Sequence, residues 1–305
     1  MNPVAPIVEM VSPVSVTSNQ ADHWNANVPP LARLAFWLNS VLPRARGRIP
    51  RAIGNGFGKS WKFAITTDSG AHLAVAPSSL DVYAHITNRN GWEPWIRNAC
   101  LQILEHQPGH TFVDVGANVG AISMDVGCLL PSVNIVAFEP QRELAKCVAM
   151  SAFLNNLDSV EVWAVAVGEA PGEAMLSEPA HSVHVRAIPR QSSTSGSPTV
   201  PMVSLDSIFQ RSSDNAIALI KIDVEGGELG VLKGARNTIR QHEPAIIFES
   251  NNNAKELGYN ADDAFDIISR DVPYILKKIS NSDYLAVSAR SQTCTSTDYP
   301  IVKRS

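Results

Sequence analysis

The chain has 305 residues, 45% of them hydrophobic and 18% charged, which is enough to bury a full α/β core and still carry an appendage. A formal net charge of -4 argues against general nucleic-acid binding, and no apolar run approaches the roughly 20 residues needed to span a bilayer. Cys100, Cys128, Cys147 and Cys294 show no paired spacing and no charged region precedes an apolar core at the N-terminus, so the expectation is a soluble, cytoplasmic protein with reduced thiols.

Residues 1–28 are poor in charge and rich in Pro, Ser, Asn and Val, without helical or strand periodicity, and read as a mobile leader. After Pro29-Pro30, the helical spacing of Leu31, Leu34, Leu38, Val41 and Leu42 predicts an amphipathic helix. Arg44, Arg46, Arg48 and Arg51 follow it. Such a helix either caps the domain or rests its 31–51 region on an anionic membrane surface or a lipid-linked substrate. Residues 61–76 alternate as a hairpin, with Trp61, Phe63 and Ile65 on one strand, Leu73 and Val75 on the other, and the turn at 68–70. Residues 1–76 therefore form an N-terminal extension, and residues 77–305 the principal domain. Two helices follow, near 79–88 and 92–106, with Trp92 and Trp95 suited either to the core or to stacking on a sugar.

The next segment carries the chemistry. Residues 111–120 read as strand, glycine turn and helix start, and the strand ending at Glu139 lies 25 positions beyond Asp114. A dinucleotide fingerprint places a glycine between the outer two so that backbone approaches a pyrophosphate; here Asn118 stands between Gly116 and Gly120. Asn tolerates left-handed dihedrals, so the turn still forms, but its side chain fills room a pyrophosphate needs. Asp114 would repel phosphate and attract an ammonium or sulfonium. Those features favour S-adenosylmethionine (SAM), with Glu139 placed to accept hydrogen bonds from both ribose hydroxyls.

Strand and helix then alternate. The helix after Gly120 should run to about Leu130, a second should span roughly 142–155, and 160–167 reads as one strand. Residues 177–200, dominated by Ser, Pro, His and Gly and including the Ser-rich 191–198 stretch, read as a surface loop over the site. Residues 216–223 form a buried strand running into Glu225-Gly-Gly-Glu228 and a helix to about Gln241, so Asp114, Glu139 and Asp223 should converge at the strands' carboxyl ends. A fifth strand, 244–250, ends in Glu249; a helix over 262–270 and strands 274–279 and 284–288 close the sheet as an antiparallel hairpin.

D-V-G-A-N-V-G at 114–120, A-F-E-P, L-N-N-L, A-V-G, V-S-L-D, I-K-I-D-V-E-G-G-E at 220–228 and L-K-G-A together resemble the FkbM family of SAM-dependent methyltransferases, in the right order over about 80–287. The resemblance implies a class I methyltransferase fold, a Rossmann-like doubly wound seven-stranded sheet with an antiparallel final hairpin, and O-methylation of a sugar, glycan or other natural product. It places Asp114, Gly116, Asn118 and Gly120 on the SAM loop, Glu139 on the ribose, Ala166-Val167-Gly168 near adenine, and Asp223, Glu225 and Glu228 on the D-V-E-G-x-E block. The 76-residue leader and the 191–198 loop lie outside the shared core.

Methyl transfer to an alcohol needs alignment and the removal of one proton. Asp223 is the first candidate base, Glu225 orients the acceptor or shares the proton, and Glu249 is the third catalytic acid; alternatively Glu225 only stabilises a helix start. Glu228 reads as structural and Lys221 as the partner of a neighbouring carboxylate. Three acids near one crevice could also hold a divalent cation, a question the spacing leaves open. The rival readings are an NAD-dependent oxidoreductase, which needs the glycine that Asn118 replaces, and a non-catalytic scaffold on the same fold.

Overall fold

The structure is a computed structural model that describes residues 11–21, 24, 27–42, 47–88, 92–176, 187–189, 199–209, 216–250, 258–290 and 299–302. In chain order come helices α1 (Pro30–Val41) and α2 (Arg48–Phe57), strands β1 (Ala64–Thr66) and β2 (His72–Ala74), and helices α3 (Leu80–Asn88) and α4 (Pro94–Leu104). Alternation begins with β3 (Thr111–Val115), α5 (Ala121–Leu129), β4 (Asn134–Phe138), α6 (Arg142–Leu154) and β5 (Val160–Trp163). Four short strands follow, β6 (Ala166–Val167), β7 (Gly172–Leu176), β8 (Ala187–Pro189) and β9 (Thr199–Val203). The chain then makes α7 (Leu205–Phe209), β10 (Ile217–Ile222), α8 (Glu228–Lys233), α9 (Arg236–His242), β11 (Ala245–Glu249), α10 (Ala261–Ile268), β12 (Tyr274–Lys278) and β13 (Asp283–Ser288).

Seven strands form the principal sheet in the order β12-β13-β11-β10-β3-β4-β5. β3, β4, β5, β10 and β11 run parallel, while β13 is antiparallel to both β11 and β12. This is the α/β topology expected of the class I methyltransferase sheet, with its reversed last strand. Every residue of β3 and β10 is buried, as continuous apolar runs must be when helices cover both faces. Alternation along each strand divides the core. Phe112, Leu219 and Ile247 pack with Ile96, Ala99 and Ile103 of α4, whereas Val113, Ile220 and Ile246 pack with Val231, Ile239 and Phe265 of α8, α9 and α10. Each such side chain contributes about 1.5–3 kcal/mol.

The hairpin forms where expected, with its turn at 68–70, and joins the principal domain. Phe63, Ile65 and Leu73 share an apolar cluster with Leu144, Cys147 and Val148 of α6. The Ala74 amide donates to Ser151 Oγ at 2.9 Å, and His72 and Asn155 exchange two hydrogen bonds at 2.8 and 2.7 Å. Buried Asp125 of α5 accepts from Thr67 Oγ1 at 2.9 Å and pairs with Arg97 at 3.3 Å, tying the turn to α4 and α5. Within the expected leader, the Val14 amide bonds the Val162 carbonyl at 2.7 Å, and Val14 and Val16 pack against the α6 cluster. Residues 1–10 lie outside the described residues.

Three sequence expectations change. The strand expected over 160–167 is two: it breaks after Trp163, and Ala166–Val167 pairs instead with Met202–Val203. The loop expected over 177–200 contains strands, because β6, β9, β7 and β8 make a second, four-stranded sheet; residues 177–186 and 190–198, including the Ser-rich stretch, lie outside the described residues. The helix expected from Glu225 to about Gln241 begins at Glu228 and is interrupted at Gly234, whose backbone lies so close to Gly168 that an added Cβ would meet its carbonyl oxygen at 2.1 Å. Cys100, Cys128 and Cys147 are free thiols; Cys294 lies outside the described residues.

Candidate functional site

At the end of β3 the chain enters a turn with left-handed dihedrals at Gly116 (φ 81°), Asn118 (φ 53°) and Gly120 (φ 77°). The Gly116 and Ala117 amides donate to the Phe138 carbonyl at 2.9 and 3.0 Å, clamping the turn to the end of β4. A Cβ on Gly116 would stand 1.8 Å from the Asp223 carbonyl oxygen, so the turn and the end of β10 meet only because that position is glycine. Gly120 faces Val148 of α6, which a Cβ would approach to 3.0 Å; its place is in packing rather than at the cavity.

A cavity opens beyond the carboxyl ends of β3, β4 and β10. Gly116, Asn118 and Glu139 form one wall, Val165, Ala166 and Met202 an apolar wall, and Asp223 and Glu225 the side nearest β10. Glu139 is buried; its Oε2 accepts from the Asn118 amide and its Oε1 from the Gln141 amide, both at 2.9 Å. Burial nevertheless pushes its carboxyl up to about 7, since those two bonds only partly offset desolvation. Asn118 Oδ1 is buried without a hydrogen-bond partner. An acceptor left in that state costs about 1–3 kcal/mol, which a donor on a bound ligand would offset. These residues fit a nucleoside-bearing cofactor: a carboxylate for a ribose, an apolar slot for a base and an unsatisfied amide oxygen.

Asp114 does not line this cavity. It is 1% exposed, stands opposite Lys221 in the β3–β10 register, and takes Lys221 Nζ at 3.2 Å and Ser123 Oγ at 2.6 Å. The same ammonium lies 3.6 Å from Asp223 Oδ2 and 3.4 Å from the Gly116 carbonyl. One buried cation thus links the glycine turn to the acid at the end of β10. Burial alone would lower the Lys221 pKa, but Asp114, Asp223 and Glu93 outweigh it and hold the group above its ordinary value.

Glu225 adopts φ 57° in the loop after Asp223 and lines the cavity. Glu228 anchors that loop: its Oε1 accepts from the Val224 and Gly226 amides at 3.2 and 3.0 Å, and its Oε2 from the Tyr259 hydroxyl. Glu249 ends β11 and interacts electrostatically with Asp223, Glu225 and Asp283. Sequence reasoning missed Glu93, the residue before α4, whose interactions with Asp223, Lys221, Asp283 and Asp114 put it in the same acidic group. Glu93-Pro94 is a helix-start dipeptide like Glu139-Pro140, and nothing local marks it as different. Trp95, 44% exposed, donates its Nε1–H to Asp283 at 3.0 Å, whereas Trp92 packs edge-on against His85. Among the described residues no group of three His, Cys, Asp or Glu is arranged to hold a metal ion.

Burial first, then neighbouring charge, raises Asp223 to about 6, Glu93 to about 7 and Glu249 to about 8. With Glu139, these carboxyls hold protons in the folded chain that the unfolded chain releases. Stability is therefore present in full at low pH and lost as pH rises through the folded-state values. The thermal midpoint of the ligand-free protein should fall between about pH 5 and about pH 8; a midpoint that rises over that interval would contradict the burial of these acids.

A sequence model of the methyltransferase FkbM domain matches residues 114–281. No curated protein sequence matches the chain. Among solved structures, a methyltransferase FkbM from Methylobacillus flagellatus KT is 18% identical with a TM-score of 0.41, covering 58% of this chain and 43% of its own. The match thus spans less than half of that relative. A precorrin-6y C5,15-methyltransferase from Geobacter metallireducens GS-15 is 14% identical (TM-score 0.35; 64% and 88% covered), and a SAM-dependent methyltransferase from Aquifex aeolicus is 13% identical (TM-score 0.36; 65% and 98% covered).

Proposed function

Because the chain belongs to the FkbM methyltransferase family, we propose that it transfers a methyl group from SAM to a hydroxyl oxygen of a sugar, glycan or other natural-product acceptor. The observation that carries this reading is Asp223, a carboxylate raised to about 6 on the wall of a cavity that also presents Glu139 and Asn118. Bound SAM supplies a methyl group on a positively charged sulfur. Glu139 would accept hydrogen bonds from its ribose hydroxyls, Asn118 Oδ1 would receive the donor it lacks, and Ala166 with its apolar neighbours would cover the base. Gly116 and Gly120 shape the turn. Asp114 acts at one remove, by holding Lys221 against the turn.

At neutral pH Asp223 is mostly ionised yet basic enough to take the proton of an acceptor hydroxyl. Lys221 holds its carboxylate in place; Glu225, across the loop, orients the acceptor or shares the proton; Glu249, raised to about 8 and so mostly protonated at neutral pH, is the alternative base at higher pH. Water exclusion by the apolar wall strengthens each of these interactions.

Calorimetric titration tests the cofactor. SAM should bind and NAD should give no heat; the reverse would overturn the reading. Glu139→Gln should weaken SAM binding by roughly ten- to a hundredfold, the worth of hydrogen bonds to a charged acceptor. Ribose donors favour the ionised carboxylate, so SAM affinity of the parent protein should drop as pH falls below about 7. Mass spectrometry of extracts from cells with and without the protein tests the acceptor: a product heavier by one methylene, methylated on oxygen, is expected, and methylation confined to nitrogen would refute the hydroxyl assignment.

A further inference from the structure

Helix α1 is packed the wrong way round for a helix whose only neighbour is its own domain. Its most buried residues are small or polar, with Ala32 and Ala35 fully buried and Asn39 nearly so, and Phe36 is the one large side chain of the helix packed against the core cluster. Four other large apolar residues point outward, with Leu31 42%, Leu34 44%, Trp37 58% and Val41 46% exposed. With Leu42, they cover about 140° of the circumference at 3.6 residues per turn. Leaving five such side chains 40–58% exposed forgoes much of the burial that normally fixes an amphipathic helix.

Charge supplies the second, independent observation. Between His23 and Thr67 the sequence contains Arg33, Arg44, Arg46, Arg48, Arg51, Lys59 and Lys62 and no Asp or Glu. Seven positive charges stand there in a chain whose net charge is -4, so the remainder carries 18 basic and 29 acidic residues, or -11. Of the basic groups, Arg33 and Arg48 are exposed, whereas Arg51 is paired with Asp81 at 2.5 Å. No helix among the described residues is long and apolar enough to cross a membrane.

We propose that α1 lies in the plane of an anionic lipid surface, with Leu31, Leu34, Trp37 and Val41 in the boundary between headgroups and acyl chains and the exposed Arg33 and Arg48 on the phosphates. An exposed leucine and tryptophan face beside unopposed arginines is the composition of an interfacial helix. Each cation near such a surface adds to the attraction. A protein partner would need acids to meet this flank, and a second copy of the chain would bring like charges together.

The full-length protein should co-sediment with vesicles of phosphatidylcholine and phosphatidylserine at least about tenfold more than with phosphatidylcholine alone, and high salt should release it. Leu34→Glu with Trp37→Glu, both at exposed positions, should abolish sedimentation while circular dichroism and SAM binding stay as in the parent protein. Arg33→Glu with Arg48→Glu should weaken binding to the anionic vesicles and leave the residual binding to neutral ones unchanged. The proposal fails if the parent protein ignores anionic vesicles, or if the double Glu variants bind them equally well. It also fails if sedimentation equilibrium shows a dimer that the Leu34 and Trp37 substitutions dissociate, since a second copy would then be the occupant of this face.

Discussion

Asp223→Asn is expected to lower kcat by about a hundred- to ten-thousandfold, the usual worth of a positioned base, while SAM affinity changes by less than about threefold. The amide keeps the shape and the contact with Lys221 but cannot take a proton. In the parent enzyme kcat should rise with pH through about 6, the value to which burial and the neighbouring acids bring this carboxyl. Should the acidic limb lie near 8 instead, Glu249 is the base, and Glu249→Gln would carry the loss. Initial rates measured across pH for the two variants separate these outcomes. Near-normal kcat in Asp223→Asn would remove that residue from the reaction.

Lys221→Met should destabilise the fold by about 3–5 kcal/mol in urea denaturation, because it leaves the buried Asp114 carboxylate without its cation. The loss should shrink as pH falls through about 6, where Asp223, the second carboxylate beside Lys221, takes up a proton. Adding Asp114→Asn to Lys221→Met should recover part of it, since two uncharged partners leave less desolvated charge than one orphaned carboxylate. A loss below about 1 kcal/mol would mean that water or another group reaches Asp114. Register explains why the pair exists. Parallel pairing sets Lys221 opposite Asp114, with both side chains on the same face of adjacent strands.

What the sequence reveals follows from how local the controlling physics is. The glycine turn, the two ends of β3 and β4 and the reversed last strand were legible because positive φ, apolar run length and turn residues are set within a few positions. Asp114 was legible as an acid ahead of the turn, but its direction was not: whether it faces a ligand or Lys221 depends on a strand more than a hundred residues away. The small sheet was hidden for a different reason. Its strands are short, β8 and β9 contain Pro189 and Pro201, and those prolines weaken the pattern that marks a strand. Glu93 reaches the acidic group only through the placement of α4, and Gly234 interrupts a helix because of a contact with Gly168. Neither has a local signature.

Among the described residues five non-glycine positions have positive φ, and three of them, Glu93, Asn118 and Glu225, belong to the candidate site. Each such backbone costs about 1–2 kcal/mol relative to glycine, against a total folding stability of about 5–15 kcal/mol. Glycine at any one of them should relax the backbone there and raise stability while removing a side chain of the site, so stability and activity are set against each other in these loops.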